Sequence, residues 1–257
     1  MSKLAIIGAG NVANHLSKAF QKAEHDIVQV YSRTQGKAQA LSSILNCSCT
    51  IDISALTDDA DIYLFCISDS AIEEVLEKKD WHNKLLLHTA GSLPLEIFKN
   101  RSSDYGVLYP LQTFTTNFTL DITKVPFFIE GNNYTTLKTI KELASSISPQ
   151  IFEADSQKRL QLHLAAVFAN NFTNHMMAIA SQLLEENNIP AENINPLLEE
   201  TFKKAQTIGA DKAQTGPAIR NNKAVMELHN HLLAKHPEWQ KIYTFVSESI
   251  KKNTIHG

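Results

Sequence analysis

The run Lys3-Leu4-Ala5-Ile6-Ile7-Gly8-Ala9-Gly10-Asn11-Val12-Ala13 constrains the fold of this chain more than any other segment. It reads as a short buried strand, a glycine turn and the start of a helix. Its form, G-x-G-x-x-A, is that of a dinucleotide-binding opening. Gly8 allows the tight turn, Gly10 lets the backbone approach a diphosphate closely, and Ala13 is small enough for helix and strand to pack. The free N–H groups and positive dipole end at the helix start suit phosphates. Gly8, Ala9, Gly10, Asn11 and Val12 are therefore the expected diphosphate-binding residues. A strand-to-helix turn without a ligand is the plainer reading. The following amphipathic stretch (Leu16, Ala19, Phe20) and a second strand at Ile27–Tyr31 argue against it, because they supply the βαβ context the motif needs.

That opening is the first of several strand–helix alternations. Strand candidates lie at 4–7, 27–31, 49–51, 62–67, 85–88 and 105–109, with helical stretches near 11–23, 35–45, 70–79 and 94–100. Such alternation predicts a Rossmann-type, mostly parallel sheet with helices on both faces. Two more strand-like runs, 126–130 and 150–154, joined by a helix at about 134–146, extend the same sheet. After Asp155 the pattern changes. Leu160, Leu164, Phe168, Phe172, Met176, Ile179 and Leu183 recur at three- or four-residue steps, the period of a long amphipathic helix. Asn195-Pro196 opens another helix, Gly209 stops it, and two further helices flank Pro237. The expectation is an α/β domain over 1–153 followed by an all-helical domain over 154–257.

The end of the second strand bears on which nucleotide fits. An NAD site usually carries Asp or Glu there, bonded to the ribose 2′-hydroxyl. This chain has Ser32-Arg33-Thr34. Arg33 can grip a 2′-phosphate with a charge-assisted fork, Ser32 and Thr34 can add hydroxyl bonds, and Lys37 adds charge. NADP is the expected cofactor. The plainer reading makes Ser32 or Thr34 a helix cap and leaves Arg33 in solvent. Cys66, Ile67 and Ser68 end the fourth strand and would line the cofactor cleft through their backbone, with Asp69 or Ser70 capping the next helix. His88, Thr89 and Ala90 end the fifth strand and would face the nicotinamide end, with Ser92 beside the substrate. A turn built around a satisfied core histidine accounts for His88 equally well.

A net charge of -3 over 257 residues, with Lys and Arg scattered, gives no footprint for nucleic acid. No apolar stretch approaches a membrane span or a signal-peptide core, so a cytoplasmic protein is expected. Of the three cysteines, Cys47 and Cys49 are too close for an ordinary disulfide, and Cys66 falls within an apolar strand. No metal site is expected. His229 and His231 are two apart on a helix and point to different faces.

Hydride chemistry needs a proton donor, and histidine suits it. His163, Asn170 and Asn174, at steps of seven and four, share one face of the long helix and make a polar stripe among apolar neighbours. His163, with Asn170 and Asn171, is the candidate catalytic group. Each of these residues alone also reads as a helix-bridging amide or a solvent-facing histidine. Gln112 and Thr113 could bond a substrate, whereas Tyr109-Pro110 shapes the turn. Thr215, Gly216 and Arg220 could hold an anion, the first two through backbone N–H groups and Arg220 through its fork; a structural turn with a surface arginine is the alternative.

Taken together, Gly8–Ala13, Ser32-Arg33-Thr34, Ser68-Asp69-Ser70-Ala71-Ile72, His88-Thr89-Ala90-Gly91-Ser92, Leu108-Tyr109-Pro110-Leu111-Gln112-Thr113-Phe114 and Gln214-Thr215-Gly216-Pro217-Ala218-Ile219-Arg220 resemble one family, the Rossmann-like plus DUF2520 group of NADP oxidoreductases. The resemblance spans nearly the whole chain. The architecture is similar to pyrroline-5-carboxylate reductase and the β-hydroxyacid dehydrogenases, which implies a homodimer formed through the helical domain, a small-molecule substrate and an active site between the domains. Two departures stand out. Where β-hydroxyacid dehydrogenases carry a catalytic lysine four residues before an asparagine, this chain has Ala166 or Val167. Where the group is expected to carry Asp two residues after the arginine, it has Asn222. The expectation is therefore an NADP-dependent oxidoreductase acting on a small anionic metabolite. Its rivals are an NADP-binding sensor that has lost catalysis and a pure assembly module.

Overall fold

The computed structural model describes residues 1–81, 83–116 and 118–254. The chain divides into two compact units, Met1–Asn171 and Phe172–Gly257. The first is built on an eight-stranded sheet: β1 (Lys3–Ile7), β2 (Asp26–Tyr31), β3 (Ser48–Thr50), β4 (Ile62–Phe65), β5 (Leu85–His88), β6 (Asp104–Pro110), β7 (Phe127–Gly131) and β8 (Ile151–Glu153). The order is β3-β2-β1-β4-β5-β6-β7-β8, and β6 with β7 is the antiparallel pair. The remaining pairs are parallel, so the carboxyl ends of β1, β2, β4, β5 and β6 reach one edge. Ile7 stands beside Tyr31 and Phe65, Phe65 beside His88, and His88 beside Val107. Strand order reverses between β1 and β4, the place where open α/β sheets leave a crevice for ligands.

Both faces of the sheet are covered, which is why its central strands read as continuous apolar runs. On one face Leu4, Ile6, Leu64, Leu87 and Leu108 pack against Leu16 and Phe20 of α1 (Asn11–Lys22), Leu41 of α2 (Gln35–Leu45) and Ile140 and Leu143 of α4 (Tyr134–Ser145). On the other, Ala5, Ile7, Tyr63, Phe65 and Leu86 meet Trp81, Phe98 and the short helix α3 (Ile72–Glu77). The helix expected at 94–100 is a single 3₁₀ turn, Leu95–Phe98. Pro94 precedes it and Asn100, at φ +66°, closes it, too few residues for an α-helix.

After β8 the Asp155 carboxylate accepts from the Lys158 N–H at 2.7 Å and starts α5 (Ser156–Ala166). The stretch Val167–Phe172 is π-helical. The second unit holds α6 (Thr173–Glu185), α7 (Asn195–Ile208), α8 (Ala210–Ala213), α9 (Lys223–Leu232) and α10 (Pro237–Thr254). Gly209, at φ +88°, ends α7 as the sequence predicts. Asn222 caps α9 by accepting from the Val225 N–H at 3.3 Å, a task that asparagine and aspartate share. Among the described residues of this unit the buried hydrophobics are Ala218, Met226 and Leu233, while Leu197, Leu228, Leu232 and Phe245 are more than half exposed.

Candidate active site

Two cavities of the first unit collect most of the nominated residues. The first, about 240 Å³, lies at the crevice edge. Gly8 leaves β1 at φ +117°, its N–H donating to the Tyr31 carbonyl at 2.8 Å. A Cβ there would collide with the Cys66 carbonyl, so the position requires glycine on two grounds. Gly10 faces open space. It precedes α1 in an extended conformation, no side chain caps the helix, and its first turn contains no acidic residue. Uncapped N–H groups facing an open cradle fit an anion. Ala9, Ser32, Arg33 and Thr34 line the same cavity, with Lys37 beyond them. Ser32 is buried and its hydroxyl accepts from the Thr34 N–H at 3.3 Å, which shapes the turn. The Arg33 guanidinium is exposed, 3.8 Å from the Glu74 carboxylate. A diphosphate at the cradle and a phosphorylated ribose beside Arg33 fit this arrangement.

Cys66, Ile67 and Ser68 close the cavity from β4. Burial pushes the Cys66 thiol up to about 12, leaving it unreactive. The loop after β5 behaves differently. The His88 ring is fully buried beside Phe98, with ring centroids 5.6 Å apart; its Nδ1 accepts from the Ala90 N–H at 3.2 Å, and its Nε2 lacks a well-formed hydrogen bond, with Pro94 as its polar neighbour. Burial, then the Arg159 charge, lowers its pKa to about 3. The ring is a neutral core group, and only the backbone around Thr89 and Ala90 remains for the crevice. Asp69 is not a helix cap: its carboxylate accepts the Ser92 hydroxyl, which ties the two loops together. Asn11 and Val12 open α1. The Asn11 amide donates to the Phe114 carbonyl at 2.8 Å and accepts from Thr116, and His15 meets the Thr115 carbonyl at 3.1 Å. The segment after β6 is thereby fastened across the start of α1.

That segment leads into the second cavity, about 410 Å³, lined by Tyr109, Gln112, Thr113, His163, Asn170 and Asn171 among apolar neighbours. Tyr109 is the penultimate residue of β6 and His163 lies on α5. The Tyr109 hydroxyl is 3.2 Å from His163 Nδ1, and the two rings meet edge to face. The seven-residue spacing of the sequence reading does not pass through a regular α-helix. The π-helical turn widens the helix there, and both Asn170 and Asn171 reach the cavity wall. Ala166, one of the two lysine places, lines the wall as well. Thr215, Gly216 and Arg220 belong to the helical unit. Gly216 turns at φ +114°, and Arg220 is exposed, without an ion pair among the described residues.

Sequence reasoning passed over Arg159. Its side chain is completely buried, paired with Glu130 of β7, and donates to the Leu93 carbonyl and to the Ser156 hydroxyl. It sits one turn before His163, and a charge at that spacing from a candidate catalytic residue was the available signal. No group of three metal-ligating side chains occurs among the described residues, and no helix there is long and apolar enough to cross a membrane.

Residues 3–91 match the family described as NADP oxidoreductase coenzyme F420-dependent, and residues 125–250 match the domain of unknown function DUF2520. A Bacteroides fragilis protein provisionally named an NADP oxidoreductase is 38% identical, with 98% of each chain covered and a TM-score of 0.92. The chain belongs to the DUF2520 family of NADP oxidoreductases. More distant members of the same fold include a reductive aminase from Aspergillus terreus, solved with NADPH and ethyl-5-oxohexanoate (15% identity, 100% and 95% of the chains covered, TM-score 0.73). Another is 1-pyrroline-5-carboxylate reductase from Streptococcus pyogenes (14% identity, 98% of each chain covered, TM-score 0.65). These two show the fold that the family shares. No curated protein matches the chain.

Proposed function

We propose that this family member is an enzyme that moves hydride between NADP and a small anionic metabolite. The supporting observation is the pairing, in one cavity, of an uncapped α1 start behind Gly8 and Gly10 with a carboxylate-free second-strand end carrying Arg33. The diphosphate is held at Gly8–Val12, the 2′-phosphate at Ser32–Thr34, and the rest of the dinucleotide along Cys66–Ser68 and the backbone of His88–Ala90. NADPH, when bound, supplies the hydride. His163 handles the proton at the acceptor heteroatom, Asn170 and Asn171 orient the acceptor, and Ser92, Gln112 and Thr113 bind its polar groups. Thr215, Gly216 and Arg220 of the helical unit are anion-binding groups. Residues 1–153 form the cofactor domain and 154–257 the substrate and dimerisation domain. A homodimer is supported by the apolar side chains left exposed on the helical unit, and a cytoplasmic location by free Cys47, Cys49 and Cys66.

Calorimetry with NADPH and NADH tests the cofactor assignment. NADPH binds more tightly, and Arg33→Asp lowers its affinity by about tenfold or more while leaving NADH nearly unchanged, the loss of one charge-assisted contact. Equal loss for both cofactors removes Arg33 from the assignment. A second reading, an NADP-binding sensor without turnover, is favoured by Ala166 in the cavity wall where related dehydrogenases place lysine. Tight NADPH binding without oxidation across keto acids, aldehydes and imines selects that reading.

A further inference from the structure

We propose that Tyr109 and His163 form a proton relay, in which the Tyr109 hydroxyl donates to Nδ1 of a neutral imidazole and so presents an Nε2–H to the cavity. This deepens the assignment of His163 above and rests on it. The hydroxyl and Nδ1 are 3.2 Å apart. Tyr109 is buried at the end of β6, and among the described residues Nδ1 is the polar partner of its hydroxyl. A buried phenol with one available acceptor donates to it, since an unsatisfied O–H costs about 1–3 kcal/mol. The hydrogen bond at one ring nitrogen then decides the tautomer at the other.

The ring is fixed from two further directions. A Cβ on Gly91 would lie 2.7 Å from Nδ1 and 2.9 Å from the His163 Cβ, so the loop after β5 closes against the imidazole with no space to spare. One turn earlier on α5, Arg159 joins that helix to Glu130 on β7 and to the Leu93 carbonyl of the same loop. The phenol, the glycine and the helix anchor come from separate parts of the sheet edge and converge on one side chain.

The proton path follows from this placement. When hydride reaches the carbon of a carbonyl acceptor, the heteroatom takes the proton of Nε2. Nδ1 takes the phenol proton in the same movement. The Nε2–H and Tyr109 O–H bonds break, and the new X–H and Nδ1–H bonds form. The imidazole stays neutral, and the negative charge moves from the substrate to the Tyr109 oxygen; Nδ1 then returns its proton to that oxygen as Nε2 takes one from water in the cavity, which restores the starting tautomer. Burial raises the Tyr109 pKa and the Arg159 charge opposes that rise, so the phenol is the stable resting form and its anion has a cation nearby.

The test is 15N NMR of histidine-labelled protein without cofactor, with His163 assigned from the spectrum of His163→Gln. The expected wild-type pattern is the Nε2–H tautomer with Nδ1 shifted as a hydrogen-bond acceptor. In Tyr109→Phe the Nδ1 resonance moves to the position of an unbonded ring nitrogen, while calorimetric NADPH affinity is unchanged. A wild-type Nδ1–H tautomer, or identical His163 resonances in the variant, overturns the relay. Should Tyr109→Phe not fold, the wild-type tautomer alone decides. Absence of NADPH binding would remove the cofactor assignment without touching the tautomer, so the two failures are separately visible.

Discussion

His88 gives the protein a predictable acid sensitivity. Its folded-state pKa of about 3 lies below the ordinary histidine value of 6.5, so between these values the unfolded chain binds the proton and the folded one does not. The contribution of this group is therefore constant above about pH 6.5 and falls as pH drops towards 3, with a slope of up to about 1.4 kcal/mol per pH unit. The partly buried His25, also lowered chiefly by burial, acts in the same direction. Urea unfolding at pH 7, 6 and 5 measures the slope, and His88→Asn, which keeps an acceptor for the Ala90 N–H, is expected to flatten it. The sequence left two roles open for this residue, at the nicotinamide end or in the core. Three leucines before it mark a buried strand, but whether the last side chain of such a strand faces ligand or core depends on Phe98 and Arg159, which arrive from elsewhere in the chain.

The element that carries His163 is held by one buried ion pair. Glu130→Gln leaves the Arg159 guanidinium uncompensated at zero exposure, and a loss of about 3–5 kcal/mol of unfolding free energy is expected. Adding Arg159→Met to the same variant should recover much of that loss, because the buried charge is then gone; denaturant midpoints of the two variants measure it. A double variant no more stable than Glu130→Gln would show that the pair is not what anchors α5. Strand and helix periods made the α/β alternation readable from residues alone. The antiparallel turn of β7 was less visible, although its cause lies in the sequence: among the described residues between Pro110 and Phe127 there is one short 3₁₀ turn, Ile122–Lys124, and no α-helix, and a parallel return needs a crossover. The π-helical turn at Val167–Phe172 leaves no mark on hydrophobic spacing, which is why a seven-residue step looked regular there.

At the scale of the whole molecule the helical unit leaves Leu228, Leu232 and Phe245 more than half exposed, an arrangement that costs solubility unless something covers it. The proposed homodimer predicts a light-scattering mass of twice the chain. Leu232→Lys combined with Phe245→Asp should return the monomer; a wild-type monomer at micromolar concentration would falsify it. The three- and four-residue apolar spacing announced helices with a wide apolar face, yet which part of that face stays uncovered is a property of packing and could be seen only in the structure. The cavity at the crevice edge was legible because its ingredients are local in sequence: a glycine turn and a strand end. The second cavity was only half legible. Tyr109 and His163 stand 54 residues apart, and their meeting depends on strand order.

Gly91 leaves no room for a side chain of its own. The smallest possible addition, a methyl group, would occupy the volume that the imidazole already fills and push it away from the phenol. Sequence drift at that position is closed off for as long as the two rings remain joined, even though no atom of the glycine takes part in the chemistry.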